Sequence, residues 1–201
     1  MPNVLPTKGN LLAMKRSREL AHTGFDLMDR KRNILVRELM ALIEQAEDIQ
    51  DRMKRTFSEA YEALENATIS LGSCAALAEG VKVDTSLSLR YRSVMGVEIP
   101  ILSADTSPKR ELPYGFVGTT SDLDNAYTKF SRAKLLLRDL SETENAIFRL
   151  AYQIKKTQKR ANALKNVVLP DLEETVKHIT DSLEEKEREE FVRLKVIKAR
   201  G

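Results

Sequence analysis

The sequence predicts an all-α chain: a long antiparallel two-helix coiled coil with a small β-hairpin-containing insert between the helices. Three observations carry this. Ala, Glu, Leu, Lys and Arg make up close to half of the 201 residues, aromatics are only 5% and Trp is absent. Such a composition suits a narrow apolar seam between helices better than a thick globular core. Apolar residues then recur at steps of three and four through two long stretches, and a β-branched segment with period two separates them.

The first helix is expected over roughly 8–78. Thr7 is its candidate N-cap, with Asn10 a second. Leu35, Leu39, Leu42, Ala46, Ile49, Met53, Phe57, Ala60, Leu64, Ala67 and Leu71 form one stripe, which extends backwards through Met28, Phe25, Ala21 and Met14. A doubled step of four around Met53 reads as a stutter that locally relaxes the supercoil. Gly80 stands where a C-terminal cap is expected.

The insert follows. Val81, Val83, Thr85, Leu87, Leu89, Tyr91, Val94, Val97, Ile99 and Ile101 are spaced for strands, with Met95-Gly96 as the tight turn. Ser107-Pro108, Pro113 and Gly115-Phe116-Val117-Gly118 read as loop.

Ser121-Asp122 is the expected cap of the second helix, with Asp124 as an imperfect capping-box partner. Ala126, Phe130, Ala133, Leu137, Leu140, Ile147, Ala151, Ile154, Ala161, Leu164, Val168, Leu172, Ile179 and Leu183 continue the rhythm, with Glu144 and Gln158 as polar seam positions. Pro170 should kink this helix near Asn166, because proline removes one backbone hydrogen bond. The organisation expected is therefore 1–80 first helix, 81–120 insert, and 121–201 second helix kinked near Pro170.

If the helices fold back on each other, residue i is expected to face residue 200 − i to 207 − i. Asp171, Glu173 and Glu174 would then oppose Arg30, Lys31 and Arg32. Both termini would meet at one end, bringing Lys8, Lys15, Arg16 and Arg18 beside Lys195, Lys198 and Arg200. Exposed ion pairs contribute only ~0–1 kcal/mol each, so stability must come from the seam.

Composition and motifs exclude most chemistry. The net charge of +3 gives no global polyelectrolyte character. Residues 1–37 and 132–165 are predominantly basic and 166–190 acidic, as complementary solvated helix faces would be. A lone Cys74 forms no intramolecular disulfide and reads as a packing residue in a reducing compartment. The N-terminus carries no signal pattern, and no apolar run reaches the ~20 residues of a membrane span.

Gly115-x-x-Gly118 leads into Thr119-Thr120 without the lysine of a phosphate loop. His22 and His178, the only histidines, lack the further ligands a metal site needs. Lys155, Lys156, Lys159 and Arg160 form a basic run without the aromatic or groove-reading features of a nucleic-acid binder. No catalytic residue, cofactor or metal is expected, nor nucleic-acid binding or direct membrane insertion.

Two blocks resemble a known family. One runs from Pro6-Thr7-Lys8-Gly9-Asn10-Leu11-Leu12 to Gly24-Phe25-Asp26-Leu27-Met28-Asp29-Arg30-Lys31-Arg32-Asn33-Ile34-Leu35. It is similar to the N-terminal signature of the D subunits of V-type and A-type ATPases. The other, Lys159-Arg160-Ala161-Asn162-Ala163-Leu164 through Leu169-Pro170-Asp171-Leu172-Glu173-Glu174-Thr175, resembles that family's C-terminal run, proline included. Ala161 and Lys165 depart from it, standing where the family more often has a β-branched apolar residue and a glutamate.

The resemblance implies a non-catalytic rotor shaft in the central stalk of a rotary ATPase, cytoplasmic and peripheral to a membrane. It would couple ATP hydrolysis or synthesis in the head to H⁺ or Na⁺ translocation. Implied partners are the catalytic and regulatory nucleotide-binding head subunits, the small F subunit of the stalk and a funnel-shaped subunit above the membrane ring. By analogy, axle contacts fall on Leu11, Leu12, Met14, Lys15 and Arg16 together with Val192, Leu194, Val196 and Ile197. Stalk contacts would fall on 81–117 and the adjoining helix ends. The alternative is a non-motor coiled-coil scaffold or tether.

Overall fold

The computed structural model describes residues 4–73, 77, 79, 87–104, 114, 115 and 117–200. Its elements are α1 (Lys8–Leu71), β1 (Leu87–Val94), β2 (Val97–Ala104), α2 (Ser121–Ala163), a π-helical turn (Leu164–Val168) and α3 (Leu169–Arg200). Two long helical stretches thus flank a small antiparallel hairpin, as the periodicities predict. The expectations for Cys74, Gly80, residues 81–86, Ser107, Pro108, Pro113 and Phe116 lie outside the described residues. The chain divides into two compact units, Leu35–Gln153 and Met1–Ile34 with Ile154–Gly201.

In the first unit, α1 and α2 lie antiparallel: Gln50 bonds Glu144, Lys129 reaches Glu59, and Ser70 donates to Asp122. Leu35, Ala46, Ala60, Ala63 and Ala67 are buried on one side, and Leu123, Ala126, Ala133, Leu140, Ala146 and Leu150 on the other. Alanine dominates this seam. Its small side chain lets helix axes approach toward the short end of the ~8–10 Å packing range.

α1 ends at Leu71, where Gly72 takes φ +77° and its N–H bonds the Thr68 carbonyl. Only glycine adopts that left-handed geometry without a steric cost, so Gly72 terminates the helix. The helix is therefore shorter than the expected 8–78.

At the start of α2 the capping position is Thr120, one residue before the expected Ser121. Its carbonyl accepts the N–H groups of Leu123 (3.1 Å) and Asp124 (3.4 Å). Its buried Oγ1 has no partner among the described residues.

The hairpin turns at Met95 (φ 51°) and Gly96 (φ 76°). Two consecutive positive φ values match the right-handed twist of the strands they join. Pairing runs from Val94↔Val97 to Leu87↔Ala104. Val97 and Ile99 are buried, while β1 is exposed along almost its whole length.

In the second unit, Lys8 meets Glu187 at 2.9 Å, His22 approaches Glu173 at 3.9 Å, and Arg32 donates to Gln158 at 2.9 Å. These pairs overturn the expected register, which placed Lys8 opposite residues 192–199 and Arg32 opposite the Asp171–Glu174 run. Ending α1 at Leu71 rather than near residue 78 shifts the facing pairs in this direction. Charge complementarity did not reveal it, because acidic and basic residues recur often enough to match in several registers. His22 accordingly faces Glu173 and not His178.

Where a kink was expected near Asn166, the helical stretch forms a π-helical turn. Leu169 donates its N–H to the Leu164 carbonyl, five residues back, closing the turn. Pro170 follows immediately; in a regular helix its ring would clash with the carbonyl of Asn166. The wider turn absorbs one extra residue and changes which side chains are inward. Leu169, Val176 and Ile179 are buried, while Val168 is exposed.

Candidate subunit-contact surfaces

α1 begins at Lys8, and Lys8 already pairs with Glu187. In this unit α3 therefore continues for some three turns past the start of its antiparallel partner. All side chains from Glu184 to Ala199 are exposed. That stretch carries Phe191, Val192, Leu194, Val196 and Ile197, interleaved with Arg193, Lys195 and Lys198. Phe191 (65%), Leu194 (66%) and Ile197 (68%) are largely open to solvent. This run of large exposed apolar side chains makes the end of α3 a candidate interaction surface.

The expected axle residues fall into two sets that the register separates. Val192, Leu194, Val196 and Ile197 lie on the exposed part of α3 beyond the Lys8–Glu187 pair. Leu11, Leu12, Met14, Lys15 and Arg16 lie on the paired first turns of α1. Leu11 and Met14 are half-buried, Leu12, Lys15 and Arg16 exposed. Sequence reasoning missed Phe191; its place in the apolar run beside Val192 was the available signal.

The first turn of α1 is locally well held. Asn10 N–H donates to Thr7 Oγ1 (3.2 Å), Leu11 N–H to the Thr7 carbonyl, and the Asn10 amide to the Leu5 carbonyl (2.8 Å). Thr7 is thus the predicted N-cap. The bond and charge of Glu187 raise the Lys8 pKa above its ordinary value.

The hairpin offers a second surface, in the other unit. Leu87, Leu89 and Tyr91 project from one face of β1 and are exposed. Three side chains anchor the hairpin. Glu142 accepts the Leu102 N–H (2.8 Å), Arg149 donates to the Glu98 carbonyl (3.1 Å), and Arg92 lies 3.7 Å from Glu38. The Arg149 guanidinium also sits 5.4 Å from the centre of the Tyr91 ring, within cation–π range.

Among the described residues, no group of three or more His, Cys, Asp or Glu side chains is placed to hold a metal ion. No described helix is long and apolar enough to cross a membrane. Gly118 adopts φ +77°, as a loop glycine does, with Thr119 and Thr120 leading directly into α2. Glu144 and Gln158, expected in the seam, are instead exposed and half-buried respectively. Thr143 and Thr157, one residue earlier in each case, are buried there. Thr143 satisfies its hydroxyl by donating to the Asp139 carbonyl.

Comparison with known proteins identifies a family. A family model for the D subunit of ATP synthase matches residues 10–199. The chain is 43% identical over 198 residues to the V-type ATP synthase D subunit of Thermotoga neapolitana, covering 98% of this chain and 97% of the relative. It is 35% identical over 206 residues to the A-type ATP synthase D subunit of Pyrococcus horikoshii, covering 99% and 96%. With the A-type ATP synthase D subunit of Methanobrevibacter smithii it shares 36% identity over 198 residues, covering 96% and 86%.

Proposed function

The chain belongs to the family of ATP synthase D subunits, and on that premise we propose that it is the central rotor shaft of a V/A-type rotary ATPase. The observation that carries the reading is the end of α3, a helix that outruns its partner and presents Phe191, Val192, Leu194, Val196 and Ile197 to solvent. Such a projection suits a bearing inside a ring of nucleotide-binding head subunits. Leu11, Leu12, Met14, Lys15 and Arg16 border it on α1. The chain does no chemistry itself.

Coupling would work by differential contact. The two helices bear different side chains around their circumference, so a rotating shaft presents a different face to each equivalent head site. Each face favours one conformation of the site it meets, and rotation cycles the sites through their states. The exposed hairpin and neighbouring helix ends would take the other stalk components, namely the small F subunit and the funnel-shaped one above the membrane ring. ATP turnover in the head is then linked to H⁺ or Na⁺ movement from a position peripheral to the cytoplasmic face of the membrane.

The test is removal of residues 192–201 from the chain in an otherwise complete complex. ATP-driven ion pumping is expected to fall sharply while the rest of the helical pair keeps its helicity by circular dichroism. Unchanged pumping in an assembled complex would rule out the bearing assignment.

A further inference from the structure

In the unit formed by residues 35–153, a groove runs between α1 and α2. Five cations line it: Arg52 and Arg55 from α1, and Lys129, Arg132 and Arg138 from α2. Only two carboxylates join them there, Glu59 and Asp139. Arg138 is paired with Asp139 at 2.8 Å, Lys129 stands 4.0 Å from Glu59, and Arg52 is 3.6 Å from Asp48. Arg55 and Arg132 are exposed and have no ion pair among the described residues. The groove thus carries an excess of positive charge that ion pairs among the described residues do not neutralise.

We propose that this groove seats a carboxylate-rich amphipathic helix of a neighbouring subunit, an inference that rests on the chain's place in a rotary ATPase. Three features select this occupant. The α1 lining residues Arg52, Arg55, Thr56 and Glu59 are spaced i, i+3, i+4 and i+7, and Lys129, Arg132, Leu136 and Asp139 line the α2 side at i, i+3, i+7 and i+10. Two such ridges leave a trough of the kind into which a third helix packs. Leu135 and Leu136 supply apolar contact, which an amphipathic helix uses and a phosphate backbone does not. The unneutralised arginines provide forked donors matched to carboxylates. Complementary charge of this kind accelerates encounter and fixes register more than it adds raw affinity.

The test uses the assembled complex. A photo-crosslinking amino acid replaces Thr56, and the captured segment is identified by mass spectrometry. The expected product is a peptide rich in Asp and Glu from another subunit. The charge-reversal pair Arg55→Glu and Arg132→Glu should lower its yield by about tenfold, a change in occupancy expected when attractive charges become repulsive. Lys155→Glu with Lys156→Glu, an exposed basic run outside the groove, should leave the yield unchanged. Capture of nucleic acid, lipid or a segment without carboxylates would overturn the proposal, as would no crosslink in an intact complex or equal losses from both reversal pairs. If the chain purified without nucleotide-binding subunits, the rotor reading would fail separately, and the Thr56 crosslink would still report what occupies the groove.

Discussion

Leu169 donates its backbone N–H to the carbonyl of Leu164, and this five-residue step keeps the end of the second helical stretch in phase with its partner. Before it, Thr157 and Ala161 are buried; after it, Leu169, Val176 and Ile179 are. Leu164 and Leu169 are five apart, which a regular α-helix cannot place on one stripe. The π-turn accommodates the extra residue, as such bulges commonly do.

A deletion should therefore be harmless here and harmful nearby. Removing Val167, which is exposed, together with Pro170→Ala would convert the π-turn into regular helix. The buried positions would then follow steps of three and four without a break. The double change is expected to leave the thermal midpoint equal or higher, read by circular dichroism. Deleting Lys156, also exposed, would rotate the following seam by about 100° and should cause a large loss of helicity. A lower midpoint for the first change would show that the π-turn has a role beyond phasing.

Seam phase also decides which leucines matter in α2. Leu150 is fully buried, whereas Leu137, expected inward from its spacing, is 48% exposed. Leu150→Ala should cost ~2–5 kcal/mol of unfolding free energy, the range for a large buried aliphatic side chain. Leu137→Ala should cost within about 0.5 kcal/mol. Urea unfolding of both variants, compared at equal slope, measures the difference.

These two leucines show what was legible in the sequence. In α1 one stripe is the only continuous apolar path, and its members from Met14 to Leu71 are all buried or half-buried. In α2 adjacent apolar residues such as Leu135, Leu136 and Leu137 allow several phases, and the buried Thr143 and Thr157 hide the true one behind polar identities. The Met95-Gly96 turn was readable because glycine there has a conformational reason. The helix end at Gly72 was not, because Gly80 offered an equally good residue eight positions later. Of the candidate surfaces, the apolar end of α3 was visible as composition. The groove was not, since its lining residues become neighbours only once the register is known.

The hairpin depends on Arg149, which both stacks on Tyr91 and bonds the Glu98 carbonyl. Arg149→Ala removes both contacts, while Arg149→Lys keeps the charge but loses the planar fork. Each contact contributes on the order of 1 kcal/mol. The effect should appear as faster hydrogen exchange of hairpin amides, with little change in the global midpoint. Glu142→Ala should act more narrowly, accelerating exchange at Leu102, whose N–H that carboxylate accepts.

Tyr114 gives a pH dependence with a definite sign. Its hydroxyl donates to Asp124 at 2.7 Å, beside the first turn of α2, and its ring meets Tyr127 edge-on. Burial, followed by the hydrogen bond and the Asp124 charge, raises its pKa well above the ordinary tyrosine value of 10.0. The folded state therefore holds this proton more tightly than the unfolded chain does. The resulting stabilisation is fully present below pH 10, and is lost progressively as pH rises from there toward the raised folded value. Tyr114→Phe should remove the most alkaline phase of the tyrosinate absorbance titration. It should also flatten the fall in stability above pH 10. A wild-type titration with no such late phase would show that the Tyr114–Asp124 bond does not persist in solution.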